Sequence, residues 1–196
     1  MKLDILRQQL INGTIQVIAE EGLDKATTKQ IGTKTGINEA YIYRCFKCKE
    51  DMFAKTFESL DLELIAALKQ YSPILYKSDL PREEKHRKYF TGIWDFLITN
   101  REKCITYIRY YYSPYFLKYS SEEHHARFAP VIANFAKLFK EEANVRLIMN
   151  HMLNVALDFA VKVFNNEMPD EDEFTEHVFL VIYRSIQPYF KEEDLI

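Results

Sequence analysis

A chain of 196 residues with 47% hydrophobic and 28% charged residues holds enough apolar material for a folded core, which excludes a disordered or fibrous protein. Only 5 Gly and 6 Pro leave few turns and long elements, so an all-α protein is expected. The net charge of −3 argues against a nucleic-acid binder only until it is resolved along the chain: Lys25, Lys29, Lys34, Arg44, Lys47 and Lys49 face Glu39 alone, while the end from Glu167 onward is strongly acidic.

No stretch reaches the roughly 18 to 20 uninterrupted apolar residues of a membrane span. The opening Met1-Lys2-Leu3-Asp4, followed by Arg7, lacks the apolar run of a secretory signal. A cytoplasmic protein with no membrane partner is expected, and Cys45, Cys48 and Cys104 are then free thiols.

In chain order, Leu10, Ile11, Thr14, Val17 and Ile18 recur at helical spacing, and Gly22 supplies a left-handed stop. Thr27 is a good N-cap for a short helix running to about Thr35, with Ile31 inward and Gly36 making the turn. Asn38 caps the next helix, with Glu39 in its first turn where the dipole favours an acid, and that helix runs through Phe46. The pattern is helix, turn, helix.

A longer helix follows from about Lys49 to Tyr71, ending before Pro73, and 72–81 has turn composition. Further helices are expected over 82–99, 101–112, 122–140, 143–165 and 171–187, punctuated by Pro114, Pro169 and Pro188. That makes about nine helices in two parts, a head over 1–50 and a body over 51–196.

At about 100° per residue, Ile42 and Phe46 fall on one side of the third helix. Ala40, Tyr43, Arg44 and Lys47 cluster opposite, with Glu39 at the near edge and Tyr41 on the flank. Anchored against Ile31 and Ile37, such a helix presents a basic, aromatic face of the kind that enters a major groove, and small Ala40 permits close approach to a base edge. Thr27 and Thr28 at a helix start, the Tyr43 hydroxyl and Lys49 suit phosphate contacts, and Lys29 suits a phosphate or a guanine edge.

The run Thr27-Thr28-Lys29-Gln30-Ile31-Gly32, then Gly36-Ile37-Asn38, Ile42-Tyr43-Arg44-Cys45-Phe46 and Lys49-Glu50, resembles the N-terminal signature of the TetR (tetracycline repressor) family, from about Leu10 to Phe57. The resemblance implies an all-α dimer whose DNA contacts come from Thr27, Thr28, Lys29, Glu39, Ala40, Tyr41, Tyr43 and Lys49, with Asn38, Arg44 and Lys47 beside them. The family pattern commonly has an Ala pair where Gly13-Thr14 stand, an Ala at Gly32, a His at Cys45 and a neutral or basic residue at Glu39.

Tyr107, Tyr110, Tyr111, Tyr112, Tyr115, Phe116 and Tyr119 crowd one region, with Trp94 and Phe96 before them. Such aromatics suit a pocket for a lipophilic, even cationic, small-molecule effector, but the same spacing also suits plain core. The candidate lining is Trp94, Tyr107, Tyr110, Tyr111, Phe116, Phe135, Met152 and Phe159. In the 143–165 helix Val145, Ile148, Met149, Met152, Ala156, Phe159 and Val163 form one apolar stripe, and Leu153, Leu157 and Phe164 another. With Phe174, Val178, Val181, Ile182 and Ile186 on the last helix, this implies either a homodimer interface through the last two helices or deep burial in the monomer.

Cys45-Phe46-Lys47-Cys48 has no second pair, so two incidental thiols outweigh a zinc site, although Lys47 and Lys49 could lower a thiol pKa enough for oxidant sensing. His124 and His125 beside Glu122-Glu123 read as a solvated loop or helix start rather than a metal site. No cofactor is expected, and no nucleophile, base and orienter constellation marks an enzyme. The sequence therefore reads as a ligand-responsive repressor released from operator DNA by a small hydrophobic or aromatic effector. The other reading is an architectural or division-control DNA-binding protein of the same fold without an effector.

Overall fold

A computed structural model describes residues 3–77 and 79–192. Among them the order is α1 (Leu3–Glu21), α2 (Thr28–Thr35), α3 (Glu39–Cys45), α4 (Lys49–Tyr71), α5 (Pro73–Lys77), α6 (Arg82–Thr99), α7 (Arg101–Tyr111), α8 (Pro114–Tyr119), α9 (Ser121–Phe135), α10 (Val145–Phe164) and α11 (Asp172–Ile186). The described residues contain no strand, only an isolated antiparallel bridge between Phe139 and Phe190. The all-α expectation is met.

Two helices were not expected. Within 72–81, where turn composition dominates, Pro73 opens α5, a position that needs no amide hydrogen and suits its fixed φ, and Leu75 is buried. Pro114 likewise opens α8, which buries Phe116. The helix expected over 122–140 stops at Phe135 and finishes as a 3-10 turn over Ala136–Leu138, although it does continue through Pro130. These short helices fall below the window in which periodicity is legible.

The residues form two compact units, each with its own core. The first comprises 3–63 and 100–127, so the expected head folds together with the start of α4 and with α7, α8 and the start of α9. Its core is built from Leu10, Ile15 and Ile18 of α1, Ile31 of α2, Ile42 of α3 and Met52, Phe53 and Phe57 of α4. Two α7 side chains bond to the α1 backbone: Thr106 Oγ1 donates to the Ile15 carbonyl at 2.9 Å, and Arg109 Nη1 donates to the carbonyls of Ile18 and Ala19. The Ile18 and Ala19 carbonyls lie in the last turn of α1, where the cationic Arg109 is a favoured donor.

The second unit comprises 64–99 and 128–192, with α6, α10 and α11 packed around Phe90, Trp94, Phe179 and Tyr183. Arg87 of α6 bonds to Glu83 at 2.7 Å and to Glu176 of α11, and its guanidinium lies 4.5 Å from the centre of the Phe179 ring. Among the described residues α10 is the one helix long and apolar enough to cross a membrane, and about a third of it is buried.

Candidate nucleic-acid interface

The α2 start is built as the sequence predicts. Thr27 is extended, its hydroxyl accepts from the Gln30 amide at 3.2 Å, and the Gln30 side chain accepts from the Thr27 amide at 3.0 Å, a complete capping box. Gly36 at φ 68° ends the helix in the left-handed conformation that costs glycine least. Asn38 Oδ1 then accepts from the Ala40 amide at 2.9 Å and starts α3, which ends at Cys45, one residue before the expected limit, with Phe46 as its extended cap.

The two sides of α3 are sorted as its periodicity requires. Ile42 is 0% and Phe46 3% exposed, whereas Glu39, Ala40, Tyr41, Tyr43, Arg44 and Lys47 all reach solvent, Tyr43 at 58%. The Arg44 guanidinium lies 5.3 Å from the centre of the Tyr41 ring, so cation and aromatic share one surface. Lys29 on α2 is exposed. Lys49 is half-buried, its ammonium 5.4 Å from the Phe53 ring centre at the start of α4.

The threonines are less free than their exposure suggests. The Thr27 hydroxyl also donates to Gln30 Oε1 at 2.8 Å, and the Thr28 hydroxyl donates to the Glu39 carboxylate. Both hydroxyl protons are therefore engaged inside the motif. What α2 still offers an anion is its first amides, Thr28 and Lys29, which helix geometry leaves without an intrahelical acceptor.

Burial raises the Cys45 thiol pKa, outweighing the opposing charges of Arg7 and Arg44, which agrees with an incidental rather than an activated thiol. One expectation is corrected. His124 is not solvated: it is buried on α9, its Nδ1 2.9 Å from Asp61 Oδ1, while its neighbour His125 is exposed. Asp61, fully buried on α4, also accepts from Arg127 Nε at 3.1 Å and Nη2 at 2.7 Å. Sequence reasoning missed this group. The available signal was an acid at position 61 on the stripe of α4 that carries Phe57, Leu60 and Leu64.

The aromatic candidates fall into two sets. Tyr107, Tyr110 and Phe116 pack around Phe57, with centroids 5.0, 4.8 and 5.5 Å away, and Tyr111 lies 4.5 Å from Phe116. Burial, reinforced by the Asp61 charge, holds the Tyr107 phenol well above its usual pKa. In the other unit Trp94 and Phe159 each meet Phe174, at 6.4 and 5.8 Å, and Met152 is half-buried on α10. Phe135 lines a cleft of about 240 Å³ with Leu68, Lys69, Ser72, Pro130, Val131 and Asn134.

Residues 10–56 match the family model for the N-terminal domain of bacterial regulatory proteins of the tetR family. No curated protein matches the sequence. Among solved structures the chain is similar to a TetR-family transcription regulator from Marinobacter aquaeolei VT8, with a TM-score of 0.75 at 16% identity over 93% of this chain and 95% of that one. It is similar to a TetR-family transcriptional regulator from Haemophilus influenzae Rd, with a TM-score of 0.69 at 20% identity over 92% and 96%. It is also similar to the fatty acid degradation regulator FadR from Bacillus halodurans, with a TM-score of 0.66 at 17% identity over 90% and 93%. With its helix-turn-helix at the matched residues and its helices arranged as in these structures, the chain carries the N-terminal domain of the tetR family of bacterial regulatory proteins on the fold of TetR-family transcriptional regulators.

Proposed function

We propose that this protein is a DNA-binding transcriptional regulator, a repressor that a small hydrophobic or aromatic effector releases from its operator. The observation that carries the reading is the division of α3, with Ile42 and the cap residue Phe46 buried behind an exposed face of Ala40, Tyr41, Tyr43 and Arg44, and with Lys47 exposed just past the helix end. Arg44 and Lys47 supply charge against phosphate, the amides of Thr28 and Lys29 an anion-facing helix start, and Ala40 room for a base edge. Residues 1–50 are the reading head, and 51–196 respond to ligand and dimerise.

Dimerisation is supported by apolar surface that the monomer leaves open on the last two helices: Leu147 is 64% and Val181 54% exposed, and Met149, Met152, Leu153 and Phe159 are half-buried. A second copy covers this surface better than lipid does, because Asn150, Asn154 and the Asp158–Lys162 ion pair lie on the same helix and are costly in hydrocarbon. A cytoplasmic location agrees with that. The effector reading is supported by the cleft at Phe135, whose apolar walls carry the polar ends of Lys69, Ser72 and Asn134.

The test is a gel shift with duplex fragments from the protein's own locus. One fragment is expected to bind with affinity falling steeply as salt rises, and candidate effectors are expected to release it. Indifference to every fragment across a range of salt would overturn the reading.

A further inference from the structure

Glu39 is the acid on the otherwise basic run from Lys25 to Lys49, and it stands at the first residue of α3, on the face described above. Its side chain is held: Thr28, the first residue of α2, donates its hydroxyl hydrogen to the Glu39 carboxylate across the turn. Among the described residues no Lys, Arg or His nitrogen pairs with that carboxylate, so its negative charge stays available at the surface. Such a charge is repelled by every phosphate of a duplex, and it is compatible with docking only where it accepts a hydrogen bond from the DNA.

The major groove offers two donors of that kind, the amino groups of cytosine and adenine. Adenine sets its N7 acceptor beside N6, so a carboxylate there meets one attraction and one repulsion. Cytosine sets a carbon-bound hydrogen beside N4 and presents no such repulsion from its own edge. We propose that Glu39 is a specificity-determining residue that selects a cytosine in each operator half-site, with Thr28 as the positioning residue that aims its carboxylate. This rests on the reading of α3 as the DNA-facing helix and deepens it. It also reassigns Thr28, whose hydroxyl hydrogen goes to the acid rather than to a phosphate.

The test is selection of duplexes from a randomised library by the full chain, run in parallel with Glu39→Ala, Glu39→Gln and Thr28→Val. Asn38, not Glu39, caps α3, so the variants are expected to keep the native melting temperature within a few degrees. Wild type should enrich cytosine at one position per half-site, and replacing that base should cost about tenfold in affinity. Glu39→Ala should leave that position degenerate and every other position unchanged. Glu39→Gln should shift it toward adenine, whose N6 and N7 an amide can bond together. Thr28→Val should weaken the cytosine preference without moving it. If wild type and Glu39→Ala enrich the same sequence, or wild type fixes another base where Glu39 acts, the inference is overturned while the DNA-binding reading stands. If wild type enriches nothing, that reading fails and the inference falls with it.

Discussion

Tyr43 is exposed on the outer face of α3, and on the proposed reading its phenol hydroxyl meets a phosphate rather than a base edge. Removing one hydrogen bond to a charged group costs about 1.5 kcal/mol, so Tyr43→Ala is expected to lower affinity about tenfold on all sequences alike, without changing the preferred operator. Gel shifts on matched and scrambled duplexes check this, and unchanged affinity would place Tyr43 off the DNA. Substitution of Ala40, by contrast, should change which operator is chosen. The buried phenols set a different expectation: burial holds Tyr89, Tyr107 and Tyr110 above their usual pKa and pushes Tyr76 to about 12. These groups are neutral in the folded chain and ionise near pH 10 once it unfolds. Their contribution is therefore intact below about pH 10 and lost as pH rises through the elevated folded values. Urea midpoints should fall between pH 9 and 11.5, and a flat profile would contradict the burial of these hydroxyls.

At the level of elements, the turn between α2 and α3 decides where α3 points. A Cβ on Gly32 would lie 2.8 Å from the Ile37 carbonyl oxygen, and Ile37 is itself tied back by its amide to the Gly32 carbonyl at 3.1 Å. Alanine gains about 1 kcal/mol of helix propensity there, but the backbone opposite cannot move without opening the turn, and overpacking costs about 1 to 3 kcal/mol. Gly32→Ala is thus expected to lower the melting temperature by several degrees and weaken DNA binding with it. A higher melting temperature would show that the turn yields. The buried Asp61 ties α4 to α9 through His124 and Arg127. Asp61→Ala removes the buried partner of His124 and leaves Arg127 only the exposed Glu123 carboxylate at 3.6 Å, and should cost about 2 to 4 kcal/mol in urea unfolding. A cost under 1 kcal/mol would mean that the pair contributes only as a surface bridge would.

For the whole molecule, the proposed dimer makes operator affinity and assembly one property, since two half-sites are engaged only by two joined heads. Val181→Arg places a charge on the exposed apolar surface of α11 and is expected to shift sedimentation from dimer to monomer, with operator affinity falling at least tenfold. A variant that remains a dimer would move the interface elsewhere.

The order of the long helices and which side of α3 is buried were determined by the sequence alone, because both depend on local rules. Thr27 and Gln30 cap within one turn of each other, Gly36 stops the helix by its own φ, and Ile42 and Phe46 share a side by periodicity. Tertiary structure alone decided the rest. Asp61 meets His124 across 63 residues of sequence, Thr28 meets Glu39 across a turn whose angle no single helix sets, and the aromatics from Tyr107 to Phe116 close around Phe57 on another helix. Such pairings are chosen by which faces the folded chain brings within a few ångströms, and one-dimensional spacing carries no record of that distance.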